Sequence, residues 1–248
     1  VNALHSRLPD GTVRLRNKVK RIDAIRGGFR VYLCGDRPVD GDAVILALPA
    51  PEASLVTGSL DLELSLGLSR IKYVSNTVIN LAYRRSEISH PLDGSGFLAP
   101  LSERLPILSC TFSSVKFKGR SPGDTALLRV VAGGARNPGI CSEDDGRLVA
   151  MAHAALSPIL GIKSAPLFSS VSRNPESTPH YAIGHGEIVA GVMERAGKFP
   201  SLRLAGNAYS GAGIPDCVRS GEEAALDIFR YLAGREARDE GYKSRGRA

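Results

Sequence analysis

The stretch GNAYSGAGIPDCVRSGEEAA, residues 206–225, is where this chain's residue types most clearly suggest chemistry. Gly206, Gly211, Gly213 and Gly221, with Pro215, stand at or ahead of an apolar helical pattern. A strand running into such a loop exposes backbone N–H groups and the positive end of the helix dipole. Gly211 and Gly213 lack Cβ atoms, so a flat or anionic group can lie on the peptide plane. The chemistry is therefore that of holding a ligand against backbone. A crowded helix–sheet contact with a tight turn would use the same spacing, because Ser220, Gly221, Ala224 and Ala225 give the helix a face of small residues. The glycine order is GxxxxGxG, not the GxGxxG of a dinucleotide fingerprint. GSGFLA at 94–99 fits GxGxxA but opens no helical pattern, so it is a chance match.

Other chemistries leave no mark. The five histidines form no HExxH or HxH, so no metal site is expected. Cys34, Cys110, Cys141 and Cys217 form no CxxC pair and read as cytosolic thiols. Neither paired carboxylates nor a Ser–His arrangement stands out, which suits redox chemistry better than hydrolysis. The net charge of +7 calls for an anionic partner, either an acidic small molecule or an anionic membrane surface. Without a nucleic-acid motif beside the charge, nucleic acid is not expected.

The elements that must position the loop follow from periodicity. VKRIDAI, Gly27-Gly28 and FRVYL read as a hairpin, and GDAVILALPAP (41–51) as a strand buried on both faces. PEASLV and LDLELSLGLSRI suit short helices. From 72 onward KYVSNTVINLAYRR, GSGFLAP, PILSCTFSSVKF and TALLRVVAGG read as an antiparallel sheet with one covered face. CSEDDGRLVAMAHAALSPIL is a helix with Ser142 as N-cap and Asp145 completing a capping box. A strand at PLFSSVSR, a turn around NPESTPHY and a helix near 184–198 follow. Then come a strand, the glycine loop, and a helix from Pro215–Asp216 to a C′ glycine at Gly234. The expected fold is α/β plus α+β, one domain interrupted by another. The chain lacks an initiating Met and a signal-peptide apolar region, which suggests a piece of something longer, located in the cytoplasm or peripherally on the inner face of the cell membrane.

AGNAYSGAGIPDCVRSGEEAA resembles the closing motif of the flavin-dependent amine oxidase superfamily, and GIPDCVRSG within it resembles the oxygen-dependent protoporphyrinogen oxidases. PHYAIGH (179–185), GFLAP (96–100), TFSS (111–114) and GGARN (133–137) fall in that family's order and approximate spacing, and VKRI with DAVILALPAP is similar to the superfamily's strand pair and return into the flavin domain. The resemblance covers nearly the whole chain. It departs at Ser172–Arg173, near where a Trp is common, and at His180, where Gln is frequent.

The resemblance implies an incomplete, Rossmann-like FAD-binding domain in two pieces, 1–50 and 200–235. Between them it implies a substrate domain (51–199) with a mostly antiparallel sheet, and after them a charged tail (236–248). It implies that Val19, Asn207, Ala212, Gly213 and Ile214 contact FAD, with the loop backbone against the ring. It implies that Leu98 and Phe112 sandwich a tetrapyrrole and that Arg136 meets a propionate. For His185 a turn position satisfied by backbone is expected rather than a base. The implied activity is six-electron oxidation of protoporphyrinogen IX by molecular oxygen, with release of hydrogen peroxide. Coproporphyrinogen III is the alternative substrate, and a homodimer is left open. With no GxGxxG at a strand–helix junction, this chain alone is expected to bind FAD weakly or not at all.

Overall fold

The computed structural model describes residues 2–245, with side chains to 237. Two compact units emerge, one from the outer segments (up to Lys72 and from Tyr181 on), the other from Tyr73–His180. Residues 51–72 and 181–199 therefore cluster with the outer segments.

After a single helical turn, α1 (Asn2–His5), the outer unit begins with a hairpin of β1 (Val19–Ile25) and β2 (Gly28–Leu33). Gly27 turns the chain at φ +86, a conformation that favours glycine. β3 (Val39–Gly41) adds antiparallel to β2. A Cβ on Gly28 would stand 2.2 Å from the Gly41 carbonyl oxygen, so only glycine lets these strands approach.

The apolar run 41–51 is not one doubly buried strand. Only β4 (Val44–Leu46) pairs, in parallel with β10 (Leu202–Leu204), and Ile45 remains 38% exposed. Pro49 cuts the run short and serves as N-cap of α2 (Ala50–Thr57). α3 (Leu62–Ser69) is capped by Asp61, which accepts the Leu64 N–H at 2.8 Å and the Arg195 Nε–H of α6 (His185–Ala196) at 2.8 Å. Burial of Leu64, Leu68 and Val192 backs this polar link.

The inner unit is an antiparallel sheet in the order β6-β7-β8-β5-β9, with β5 (Tyr73–Arg84), β6 (Gly96–Leu98), β7 (Ser109–Phe112), β8 (Thr125–Gly133) and β9 (Phe168–Pro179). The segment SSVK, expected as strand, forms a short helix, α4 (Ser113–Lys116). α5 (Asp145–Leu160) covers one face, where Ile79, Leu81, Tyr83, Leu128 and Val130 pack with Leu148, Ala152, Leu156 and Leu160. Its N-cap is Asp144, which accepts the Arg147 N–H, and Ser142 lies in a preceding tight turn. Asp144 caps in place of Ser142, so the helix starts two residues later than the capping box implied.

NPESTPHY holds a bulge rather than a turn, where the pairing shifts register opposite Val74 and Asn76 and Glu176 stands at φ +42. β9 runs on to Pro179, because pairing with β5 and a side-chain ladder through Asn174, Asn76 and Thr178 override the local turn formers. Arg173 ties β9 to the start of α5, bonding the Cys141 carbonyl at 3.0 Å and Asp145 at 2.6 Å. The last helix, α7 (Ile214–Arg245), passes through Gly234, since one glycine costs a helix only about 1 kcal/mol and good helix formers follow it. Of the expected charged tail, 236–248, the last three residues lie outside the described chain.

Candidate functional site

The glycine loop joins β10 to α7 within the outer unit. Ala205 extends the pairing to Leu46, and the Gly206 N–H then donates to the Ser220 Oγ at 3.1 Å, fixing the loop's start to the second turn of α7. Ser220 and Ala224 are buried, so the small-residue face of the helix is in use. Gly211 stands at φ +147, where a Cβ would lie 2.6 Å from the Asp216 carboxyl carbon, and one on Gly213 would lie 2.9 Å from the Asp216 Oδ2. The two glycines therefore make room for Asp216, a side chain of the loop's own helix.

Beyond that contact the loop opens outward. Ala212, Gly213 and Ile214 are exposed, Ile214 at 81%. Small side chains leave these peptide planes bare at the N-terminus of α7, and Ile214 adds an apolar surface. Such a surface has room for a flat ring with a polar edge, such as that of a flavin. Asn207, half-buried at the loop's start, has its carbonyl held by the Tyr181 phenol at 2.7 Å. Tyr181 stacks on His185, with centroids 4.2 Å apart and planes 15° from parallel. Burial raises the Tyr181 phenol above its ordinary value, and a hydrogen bond from the Gly211 backbone opposes that shift. Val19 opens β1 in a different sheet from β10, paired with Leu33.

His185 is not the backbone-satisfied turn residue expected. Its amide does bond the Ala182 carbonyl, but its buried Nε2 has no hydrogen-bond partner among the described residues.

In the inner unit the expected tetrapyrrole pair separates. Leu98 opposes Ser109, and Phe97 opposes Cys110. Side chains alternate across a strand, so Leu98 shares the face of Ser109 and Thr111, whereas Phe112 shares the core face of Cys110. Leu98 is 80% exposed and Phe112 is 3% exposed, packed against Phe97 and His90. The two cannot sandwich one ligand, and Phe112 is corrected to a core residue. The face opposite α5 carries Leu98, Thr111, Arg129 and Asn80, with Arg129 exposed between Thr111 and Asn80 and without an acidic partner among the described residues. The phase of TALLRVVAGG sets Arg129 against Leu128 and Val130, a signal legible in the sequence once the register is known.

Arg136 donates to the Ala99 carbonyl at 2.8 Å, which secures the end of β6. It also lines a cavity of about 250 Å³ with Arg104, Leu101, Ile107 and Leu108. Neither arginine has an acidic partner among the described residues, so two uncompensated guanidinium groups meet an apolar wall there. No group of His, Cys, Asp and Glu suited to a metal occurs among the described residues. The four thiols are free, and burial pushes that of Cys110 up to about 12. No described helix is long and apolar enough to cross a membrane.

Comparison with known proteins places these features in context. Residues 1–229 match the sequence profile of a family described as flavin containing amine oxidoreductase. The chain is 31% identical over 231 residues to a coproporphyrinogen III oxidase of Propionibacterium freudenreichii, spanning 92% of this chain and 43% of that protein. It is 33% identical over 212 residues to a protoporphyrinogen oxidase of Bos taurus, spanning 82% of this chain and 43% of that one. A crystal structure assigned as a protoporphyrinogen oxidase, from Exiguobacterium sp. 255-15, superposes with a TM-score of 0.77 at 26% identity, covering 94% of this chain and 50% of the other. The chain thus spans about half the length of the relatives it matches.

Proposed function

Because this chain belongs to the flavin-containing amine oxidoreductase family, we propose that it forms part of an FAD-dependent oxidase that converts protoporphyrinogen IX to protoporphyrin IX in haem biosynthesis. The observation that carries this reading is the loop at the start of α7, whose exposed Ala212, Gly213 and Ile214 offer bare backbone and an apolar surface to a ring. Asn207 and Val19 join them as proposed cofactor contacts.

The flavin supplies two-electron acceptor chemistry. Three turnovers remove six electrons and six hydrogens from the macrocycle, and three molecules of oxygen leave as hydrogen peroxide. The chain's own residues bind and orient. Leu98 offers an exposed apolar contact for the flat substrate. Arg136 and Arg104 are placed to meet a carboxylate, and the net charge of +7 favours approach of an anionic porphyrinogen. No described side chain is needed as a proton acceptor, since the macrocycle can release its protons to solvent.

A second reading, coproporphyrinogen III as substrate, is favoured by the match that spans 92% of this chain and by two arginines, without acidic partners among the described residues, that suit its additional propionates. Initial rates of porphyrin fluorescence and of peroxide release, measured on the full-length protein with each porphyrinogen, separate the two. Faster oxidation of protoporphyrinogen IX supports the first reading and the reverse order supports the second. Oxidation of neither would overturn both.

A further inference from the structure

Tyr181 and His185 lie in PHYAIGH, a stretch whose residue types suggest no chemistry but whose geometry does. The Tyr181 hydroxyl donates to the Asn207 carbonyl at 2.7 Å, and the Gly211 backbone lies beside the same oxygen, where it opposes the upward push of burial on the phenol. One hydroxyl therefore anchors the residue leaving β10 and sits beside the residue preceding Ala212.

The ring that carries the hydroxyl is itself held. His185 stacks on it at 4.2 Å and opens α6 behind Gly184, whose φ is +85. α6 is tied in turn to the cap of α3 by the Arg195–Asp61 pair at 2.8 Å. The buried His185 Nε2 has no hydrogen-bond partner among the described residues, while the face of the ring lies against the phenol. An unpaired buried nitrogen is a cost that an apolar residue would avoid. The flat, parallel contact with the phenol ring is what the histidine makes in return.

We propose that Tyr181 is a positioning residue that anchors the glycine loop and fixes the peptide planes of Ala212 and Gly213 for a flat redox ring, with His185 as its support. This rests on the flavin reading of the loop, and the test separates the two.

In the full-length protein, Tyr181→Phe removes only the hydroxyl, and its thermal melt reports whether the fold survives. Without added FAD, amide hydrogen exchange at Gly211, Ala212 and Gly213 should quicken about tenfold, the factor that loss of one hydrogen bond sets. With FAD bound, the flavin absorption band should shift and its midpoint potential should move. His185→Phe keeps the stack and should behave as the parent, whereas His185→Ala should follow Tyr181→Phe. Unchanged exchange in Tyr181→Phe overturns the anchoring role. Faster exchange with unchanged FAD affinity, spectrum and potential overturns the role toward the ring. A parent protein that takes up no flavin overturns the flavin reading, while the anchor is judged by exchange alone.

Discussion

Substituting Gly211 by Ala adds a single methyl group where the structure leaves least room. The new Cβ would stand 2.6 Å from the Asp216 Cγ and Oδ2 and 2.8 Å from its Cβ. Asp216 cannot clear the methyl by a change of rotamer alone, because its own Cβ, fixed to the first turn of α7, is one of the colliding atoms. Overpacking of this kind costs about 1–3 kcal/mol. The backbone adds to it, since φ is +147 at this residue, a region outside the ordinary range of alanine, with a cost of about 1–3 kcal/mol. An exposed loop relieves a combined load of about 4 kcal/mol by moving rather than by unfolding the domain. If the displaced segment is the ring contact, FAD affinity should fall by about 10²–10³, read by titrating the cofactor-free full-length protein. Asp216→Gly in the Gly211→Ala background removes the collision but not the backbone cost, and should recover roughly half of the lost free energy. A Gly211→Ala protein that binds FAD within about threefold of the parent would refute the reasoning, because the loop would then be dispensable to the cofactor.

Asp61→Ala should lower stability by about 3 kcal/mol, combining a lost helix cap with lost charge-assisted bonds to Arg195. A fall in melting temperature of about 10 °C would register it, and no change would show the link to be idle. The Arg195 guanidinium beside Asp61 holds its carboxyl below the ordinary 3.8. The ion pair's stabilisation is therefore complete above that value and lost as pH falls through the lower folded one. The gap between parent and Asp61→Asn in acid unfolding should close in that window. Phe112→Ala should cost about 3–5 kcal/mol of stability. Leu98→Ala should leave the melting temperature in place and raise the KM for porphyrinogen, a contrast that melting curves and steady-state rates together resolve. Arg104→Gln with Arg136→Gln should raise KM more for coproporphyrinogen III than for protoporphyrinogen IX, and an equal effect on both would remove these arginines from substrate selection.

Elements marked by local chemistry were legible in the sequence. The Gly27-Gly28 hairpin and the existence of α5 and α6 all follow from turn residues and periodicity that act within a few positions. The α/β plus α+β character was likewise readable, and the structural relatives share it. What stayed hidden depends on partners far along the chain. β9 crosses its turn-forming residues because β5 supplies a ladder about a hundred positions away. An apolar run at 41–51 reads as a buried strand until Pro49 begins a helix inside it. In the candidate site, the glycine loop announced itself by composition. The separation of Leu98 from Phe112 did not, because each residue's face depends on the register of three strands, and a shift of one residue reverses it. Tyr181 was silent for a similar reason, since its partner Asn207 lies 26 residues on.

Anaerobic mixing of the full-length protein with protoporphyrinogen IX, followed at the flavin's visible absorption band, tests the central claim most directly. We expect the purified protein to carry that band, the porphyrinogen to bleach it, and admitted oxygen to restore it as porphyrin fluorescence appears. A protein without the band, or one whose band is unmoved by either porphyrinogen, would contradict a flavin-dependent porphyrinogen oxidase.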